Sequence, residues 1–364
     1  MSQMIPPVRF PVLVVGDCML DRYWEGRVDR ISPEAPVPVL SLGRQWDRAG
    51  GAANVAMNLA YLKCDTTLVT LLGEDEAGHS LTRLLSNVPI HLKTVRHAEL
   101  STIQKIRAVC QHQQLLRMDI EQPVPEEATH KLTELVKKLM PHYSWVLFSD
   151  YAKGTLRQCE ELLRYAQVLG CHVLVDPKGK DFRRYRGAWL LKPNEQEAAI
   201  AAGIGPDAED FDAQMNRLRQ SLEVRYLLVT RGARGMTLYC PDSTPLHVAA
   251  QSRDVFDVSG AGDTVLATLA WGLLQDFSLL EAVQAANRAA GIVVGKFGTS
   301  TVSLEELSPV LAADKTVQKA AAQIYSKNML PLTVSNKKID GLPVSFYGLP
   351  SFATGWSGPR EQSA

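Results

Sequence analysis

Residues 144–150 read SWVLFSD and residues 171–177 read CHVLVDP, with a stretch of helical periodicity between them at 155–169. Both apolar runs are short and rich in Val and Leu, which is typical of strands buried inside a sheet. A helical pattern at 127–140 precedes them, and the run WLLKPN at 189–194 follows. Strands and helices that alternate in this way predict a mostly parallel sheet with helices on both faces, a three-layer α/β/α fold.

The N-terminal part of the chain extends this pattern and interrupts it twice. The valine-rich run at 8–15 predicts a first buried strand, the apolar spacing at 51–62 a helix, and residues 65–72 another strand. The segments 18–43 and 98–120 differ, because polar and apolar residues alternate in them and prolines interrupt the first. Such patterns suit edge strands better than core strands. We therefore expect these two segments to form a small β lid outside the main sheet.

Composition excludes several classes of protein. The chain of 364 residues is 46% hydrophobic, enough for a large core without a metal or disulfide. Its 39 Lys and Arg residues balance 39 Asp and Glu residues, so no net field draws the protein to nucleic acid or to an anionic membrane. The six cysteines are isolated, which favours reduced thiols, and the stretch MSQMIPPVRF at 1–10 lacks a basic region followed by a long apolar run. We expect a cytoplasmic protein with neither a nucleic-acid nor a membrane partner.

The alternation of strands and helices ends near residue 310. We therefore expect one α/β domain at 8–310 and a C-terminal extension at 311–364. The extension becomes rich in Gly, Ser and Pro and shows no hydrophobic period. From about residue 334 we expect it to be loosely ordered.

The stretch DVFDVSGAGDT at 254–264 is glycine-rich and directly precedes a strongly apolar helical run. The backbone N–H groups and the dipole of such a helix start can hold the oxygens of a transferring phosphoryl group, and the small residues at 260–262 let that group approach closely. Asp263 stands beside this anion hole, where a carboxylate can accept the proton of an attacking hydroxyl. The alternative is that Ser259 and Asp263 merely cap and charge the first turn of the helix.

A second glycine-rich helix start, GGAAN at 50–54, accompanies Asp17 just past the end of the first strand. Ligands of open α/β sheets bind beyond the carboxyl ends of the strands, where carboxylate and amide side chains can bond to sugar hydroxyls. We interpret Asp17 and Asn54 as sugar ligands. A tight turn capped by Asp17 explains the same pattern equally well.

Two further segments suit a nucleotide. KPNEQE at 192–197 follows a strand and places Asn194 and Glu197 on successive helical turns, where they can orient magnesium and its waters. TRGARG at 230–235 offers free amides and glycines. Taken singly, an N-cap asparagine explains the first segment and a hairpin turn the second.

The sequence contains no G-x-x-x-x-G-K-[ST] phosphate loop, which excludes a Walker-type kinase. GAGDTV lacks the third small residue of the dinucleotide fingerprint, and the eight histidines form no close pairs that would suggest zinc.

DVSGAGDT before a long helix resembles the C-terminal signature of the ribokinase/PfkB family of sugar kinases, and GGAANVAMNLAYL resembles its N-terminal glycine signature. The resemblance covers approximately residues 10–305 and includes the strand-end Asp17, the NxxE stretch and the TRGARG turn. It implies a ribokinase-like α/β domain with a β lid that often forms a clasp in a homodimer. It also implies an enzyme that uses ATP and Mg²⁺, with a role for K⁺ left open.

Within that family, the stretches GDCMLDRYWEG, RISPEAPVPV, QKIRAVCQHQQLLRMD, SDYAKG and VDPKGKDF resemble kinases that phosphorylate D-glycero-D-manno-heptose 7-phosphate at the anomeric oxygen. That reaction gives heptose 1,7-bisphosphate and ADP on the way to ADP-heptose for lipopolysaccharide. In many such proteins an adenylyltransferase domain is fused to the kinase, and its HxGH-like motif is absent from this sequence. We therefore expect a kinase-only form.

The resemblance implies roles for the matching residues. Sugar is expected to contact Asp17, Gly50, Gly51 and Asn54. The anion hole and the base are expected to be Gly260, Ala261, Gly262 and Asp263. The ATP phosphates and magnesium, the latter through water at Glu197, are expected to face Asn194, Glu197, Thr230, Gly232 and Gly235. The adenine is expected to lie beside Asn287.

A phosphorylated acceptor requires a cationic pocket. The candidates are Lys105 and Arg107 in the lid segment and Lys153 and Lys178 near strand ends, with Arg107 the first choice. A solvated surface charge is an equally good explanation for each. Two other functions stay open: a PfkB-type kinase for a ketohexose phosphate or a nucleoside, and a nucleotide-binding regulator without turnover, against which the intact GAGD stretch argues.

Overall fold

The structure, a computed structural model, describes residues 11–111, 113–251, 255–312, 333–339 and 342–348. The N-terminal third supplies the first strands of two separate sheets. In chain order its elements are β1 (Val12–Gly16), β2 (Cys18–Ile31), β3 (Pro38–Gly51), α1 (Ala52–Tyr61), β4 (Thr66–Gly73), α2 (Glu76–Ser86), β5 (Ile90–His97), β6 (Ile103–Cys110) and β7 (Gln113–Ile120).

The remaining elements alternate between helix and strand as the sequence predicts. They are α3 (Glu126–Leu139), β8 (Trp145–Ser149), α4 (Cys159–Leu169), β9 (His172–Asp176), β10 (Leu190–Leu191), α5 (Glu195–Ala202), α6 (Phe211–Ser221), β11 (Tyr226–Thr230), β12 (Met236–Tyr239), β13 (Leu246–Val248), α7 (Ala261–Leu274), α8 (Leu279–Val293), α9 (Leu304–Ala312), β14 (Thr333–Ile339) and β15 (Leu342–Gly348).

The main sheet has nine strands in the order β13-β12-β11-β10-β9-β8-β1-β4-β5. All neighbours are parallel except the pairs that β12 makes with β11 and β13. The chain leaves β1 for β4 on one side and later returns to β8 on the other. The carboxyl ends of β1 and β8 therefore flank a topological switch point, where ligands of such sheets bind.

Helices cover both faces of this sheet. Val12 and Val14 of β1 belong to a core that includes side chains of α1, α7 and α8, whereas Leu13 and Val15 belong to a second core with α3, α4 and α6. Side chains that alternate along one strand thus pack into two separate layers, as expected of a strand buried on both faces. The predicted ribokinase-like three-layer α/β/α fold is confirmed.

The smaller sheet has four strands in the order β3-β2-β6-β7. Its strands come from the two segments that the sequence separates from the core, although β3 runs on to Gly51, beyond the predicted end at residue 43. Only Asp17 stands between the end of β1 and the start of β2. The root of the small sheet therefore lies at the switch point.

Three details differ from the predicted elements. The edge strand β5 is not predicted, because its polar alternation resembles a surface segment. The helix predicted at 155–169 begins only at Cys159, since Thr155 belongs to a loop that binds Asp17. In the extension expected to be loosely ordered, β14 and β15 pair antiparallel, and residues 349–364 lie outside the described part of the chain. No helix in the described residues is both long and apolar enough to cross a bilayer.

Candidate active site

Asp263 lies in the first turn of α7 and is 2% exposed. The turn before it depends on Gly260, whose φ of +79° is unfavourable for other residues and whose missing Cβ would lie 2.7 Å from Asn54 Nδ2. The glycine thus brings the start of α7 against the start of α1. Two segments 209 positions apart in sequence meet at this point.

The carboxylate of Asp263 does not cap its own helix. No side chain caps α7, whose N-cap residue is Gly260. Asp263 instead accepts hydrogen bonds from Asn54 Nδ2 at 3.0 Å and from the Tyr151 hydroxyl at 2.7 Å. The capping part of the alternative is therefore wrong, although Asp263 does place a carboxylate in the first turn of α7. Among the described residues no side chain accepts the first backbone N–H groups of this helix. This helix start is free to bind an anion.

Burial raises the pKa of Asp263 to about 7. The donors Asn54 and Tyr151 act against that rise because hydrogen bonds to a carboxylate favour its charged form, while the nearby Asp176 adds to it. A carboxylate with a pKa near neutrality suits a general base, since it is largely ionised above pH 7 and still binds a proton strongly. A buried carboxylate in these surroundings can act as a general base.

Asp176 and Lys192 form a buried ion pair beside this helix start, with Lys192 Nζ 3.0 Å from Asp176 Oδ2. Both stand at the carboxyl ends of strands, and a Cβ on Gly262 would lie 3.5 Å from that ammonium. Burial raises the pKa of Asp176, and Lys192 opposes the rise. Sequence reasoning missed both residues, although each lies in a segment that it singled out.

Asp17 does not have the surroundings of a sugar ligand. It is fully buried, and its carboxylate accepts the backbone N–H groups of Tyr151, Lys153 and Thr155 at 2.9–3.0 Å. The protein's own backbone therefore occupies the oxygens that were expected to bind sugar. The structure corrects the expectation: Asp17 shapes the loop that follows β8.

Asp21, four residues further on, lies closer to the expected sugar contacts. Its carboxylate accepts Arg107 Nη1 at 2.6 Å and Thr299 Oγ1 at 2.7 Å. A Cβ on Gly50 would lie 2.4 Å from Asp21 Oδ2, so the glycine is required for this close approach. Sequence reasoning missed Asp21, because its partners come from β6 and from the segment after α8.

The four candidate cations have different surroundings. Arg107 pairs with Asp21 and is 12% exposed, Lys153 pairs with Glu121 at 2.5 Å, and Lys178 pairs with Glu197 at 2.6 Å. No ion pair of Lys105 occurs within the described part of the chain. Its ammonium lies 5.5 Å from the centre of the Tyr151 ring, and burial lowers its pKa.

A mostly apolar cavity of about 350 Å³ opens on the other side of α7. Six of the lining residues were predicted to contact the nucleotide or to form the anion hole, namely Thr230, Gly232, Gly235, Ala261, Gly262 and Asn287. The rest of the lining is mostly apolar and includes Val255, Val258, Val265, Ala290, Gly291 and Val294. One end reaches the start of α7 and the other the apolar side chains of α8. A cavity of this volume, mostly apolar and with a few polar groups, can hold a nucleotide.

Asn194 and Glu197 form the capping box of α5. Asn194 Oδ1 accepts the Glu197 amide at 2.8 Å, and the Glu197 carboxylate accepts the Asn194 amide at 3.0 Å. The N-cap explanation is therefore correct for Asn194. Glu197 also holds Lys178, so this carboxylate is already neutralised in the structure.

Comparison with known proteins agrees with this arrangement. The model of the pfkB family of carbohydrate kinases matches residues 10–307. The chain belongs to this family. The bifunctional protein HldE of Azotobacter vinelandii is 50% identical over 338 residues, which cover 93% of this chain and 70% of that protein. The bifunctional protein HldE of Stutzerimonas stutzeri is 49% identical, with 92% and 70% covered.

Solved structures share the fold of this pfkB-family kinase. Phosphofructokinase-2 from Escherichia coli, in complex with substrates and products, has a TM-score of 0.71 at 20% identity and covers 83% of this chain and 98% of its own. Arabidopsis thaliana ribokinase, complexed with ribose and ATP, has a TM-score of 0.67 at 20% identity, with 83% and 98% covered. The family makes this chain an ATP-dependent carbohydrate kinase.

Proposed function

We propose that this kinase transfers the γ-phosphoryl group of ATP to the anomeric hydroxyl of D-glycero-D-manno-heptose 7-phosphate. The observation that carries the kinase mechanism is Asp263, a buried carboxylate between the nucleotide cavity and the small sheet. The choice of acceptor is supported by the stretches that resemble heptose 7-phosphate kinases and by Lys105, a cation of the small sheet whose ammonium lies over the ring of Tyr151.

The transfer follows from what surrounds Asp263. The anomeric hydroxyl donates its proton to the carboxylate while its oxygen forms the new bond to the γ-phosphorus. The bond between that phosphorus and the β,γ-bridging oxygen breaks, and ADP leaves with the electron pair. The N–H groups at the start of α7 and the ammonium of Lys192 stabilise the transferring group.

On the acceptor side, Asp21 and Asn54 are the polar groups that we assign to the sugar, with Gly50 and Gly51 allowing a close approach. Lys105 replaces Arg107 as our first candidate for the substrate phosphate. The charge of Arg107 is already balanced by Asp21 at 2.6 Å, whereas Lys105 is half-buried, faces the same cleft and makes no ion pair with a described residue. An ammonium without a carboxylate partner attracts a phosphate most strongly.

Magnesium in nucleotide sites usually binds one or two carboxylates, with phosphate and water oxygens as its other ligands. A site with few carboxylates near the nucleotide cavity is therefore compatible with magnesium. Among the described residues no group of three or more His, Cys, Asp or Glu side chains gathers around one point. Glu197 is the carboxylate we assign to the metal's waters, and this assignment requires it to exchange the ammonium of Lys178 for hydrated magnesium. Bound magnesium would supply charge neutralisation for the phosphates.

We also propose a homodimer through the small sheet. Its strands expose large apolar side chains that no described residue covers, among them Leu42 at 54% and Leu116 at 55% exposure. Exposed apolar side chains concentrated on one sheet favour association with a second surface. A second copy of this sheet presents the same apolar groups.

The test is ADP release from ATP and Mg²⁺ with four acceptors: the heptose 7-phosphate, fructose 6-phosphate, ribose and adenosine. We expect a clear preference for the heptose phosphate. Turnover only on another acceptor would reject the heptose assignment, and silence on all four would favour a regulator. With the accepted sugar, Asp263→Asn should lower kcat by roughly 10²- to 10⁴-fold and leave ATP binding intact; unchanged turnover would remove Asp263 as the base.

A further inference from the structure

Asp263 accepts two hydrogen bonds from the side chains of described residues, and the shorter, at 2.7 Å, comes from the Tyr151 hydroxyl. The transfer described above does not use this hydroxyl. The residue is partly exposed to the cleft, while its oxygen points inward to the carboxylate. The two residues are 112 positions apart in sequence. A contact of this kind between distant segments requires each to be held accurately.

The backbone of the loop that carries Tyr151 is fixed by hydrogen bonds to two buried carboxylates. Asp17 accepts three of its backbone N–H groups, and Asp150 accepts the Ala152 amide at 2.7 Å. Ala152 has a φ of +57°, a left-handed conformation that a non-glycine residue adopts only where its surroundings enforce it. The buried carboxylate of Asp17 is thus the device that fixes the direction of the Tyr151 side chain.

The aromatic ring of Tyr151 packs between Gly51 and Lys105. A Cβ on Gly51 would lie 3.4 Å from the ring carbon Cε2 and 2.3 Å from the Asp17 carbonyl oxygen. The ammonium of Lys105 stands over the ring at 5.5 Å from its centre. The ring is therefore packed between the glycine turn and a lid cation, and it cannot rotate freely away from Asp263.

We propose that Tyr151 is a positioning residue for phosphoryl transfer: delivered by the loop that Asp17 anchors, its hydroxyl fixes the orientation of the Asp263 carboxylate and keeps it an acceptor. The proposal rests on the proposed role of Asp263 as base. Asn54 holds one carboxylate oxygen and Tyr151 the other. Each oxygen then keeps one in-plane lone pair, and the sugar hydroxyl would donate its proton to one of these.

A hydrogen bond donated to a buried carboxylate also favours its ionised form. Removal of the Tyr151 hydroxyl should therefore raise the pKa of Asp263 further, and a larger fraction of the base should be protonated near neutral pH. Several other groups face this pair and stay in place in such a variant. They are Asp176 and Lys192 at the strand ends, Cys18 and Asp21 on β2, and Lys105 on β6.

The experiment compares wild type, Tyr151→Phe and the control Tyr61→Phe, using whichever acceptor the wild type phosphorylates. Tyr61 is exposed at the far end of α1, so its variant removes the same atom without touching the site. For Tyr151→Phe we expect kcat at pH 6.5 to fall roughly ten- to a hundredfold, with KM for ATP unchanged. We expect the acid limb of its kcat profile to move to higher pH, so that the deficit shrinks at pH 8.5.

Three outcomes would overturn the proposal: an unchanged kcat, a fall in kcat with the acid limb unmoved, and a fall accompanied by an equal loss for Tyr61→Phe. A thermal unfolding midpoint near the wild-type value shows that the variant is folded. The assignment of Asp263 as the base is tested separately by Asp263→Asn. Unchanged turnover in that variant would reject the base, whatever the result for Tyr151→Phe.

Discussion

Replacing Lys192 with Met tests the buried ion pair beside the anion hole. Lys192 is 2% exposed, and its ammonium lies 3.0 Å from Asp176. Removing one partner of a buried pair leaves the other charge without compensation, which costs about 3–5 kcal/mol. Because the Asp176 side chain keeps 16% exposure, we expect a loss near 3 kcal/mol in the free energy of unfolding. Turnover should fall by roughly 10²- to 10³-fold, as for other lost stabilisers of a transferring group.

The double variant Lys192→Met with Asp176→Asn separates the two effects. Replacing both charges should recover most of the stability, because no buried charge is left without a partner, yet kcat should stay low. Thermal unfolding and ADP release measure the two quantities on the same samples. Lys131→Met, which breaks an exposed pair on α3, is the control and should change neither. A double variant with wild-type kcat would refute the role of Lys192 in transfer, and a single variant with wild-type stability would refute the argument from burial.

The pH dependence gives a further check on that reasoning. Burial already raises the pKa of Asp176 above its ordinary value, and loss of Lys192 should raise it more. A carboxyl group whose folded pKa lies above its unfolded value destabilises the protein at pH values above the folded pKa, and the penalty vanishes as the pH falls below the unfolded one. The instability of Lys192→Met should therefore be larger at pH 8 than at pH 5.

Two other predictions concern the small sheet. Lys105→Met should raise KM for a phosphorylated acceptor roughly tenfold or more, with little change in KM for ATP. The control Lys178→Met, which breaks a pair with Glu197, should leave the sugar KM unchanged. The same sugar KM in both variants would reject Lys105 as the phosphate ligand. Leu116→Asp should convert a dimer to a monomer in sedimentation experiments, since a charge replaces an apolar side chain that is 55% exposed in the single chain; a wild type that sediments as a monomer would dismiss the dimer.

The layers of the fold were predictable because burial on both faces of a strand produces a local signal. β8 and β9 are runs of five residues that are almost wholly buried, and each is read correctly from the sequence. The strand β5 was not predicted, because it lacks this signal. It lies at the edge of the sheet, and its polar residues alternate with partly buried ones, so its pattern does not differ from that of a surface segment.

The site divides in the same way. The position of Asp263 at a glycine-rich helix start was predictable, because the glycines that open α7 and the carboxylate stand within one short stretch. Tyr151, Asp21 and the pairing of Asp176 with Lys192 depend on contacts between distant segments, and no spacing rule reports them. Polarity alone also made Asp17 resemble a ligand. A buried carboxylate that binds backbone amides and one that binds sugar look the same in sequence, since the difference lies in what the fold places opposite each oxygen.

Asp17 connects the small sheet, which carries Asp21, to the loop that carries Tyr151. That residue alone separates β1 of the main sheet from β2 of the small one, and Asp21 follows on β2 with its bond to Arg107. The carboxylate at this junction also holds the loop that aims Tyr151 at Asp263. Under the proposed roles, a sugar bound by Asp21 would contact the strand whose root adjoins the Asp17 anchor of the Tyr151 loop. We therefore expect occupation of the acceptor site and the orientation of Asp263 to be coupled through Asp17.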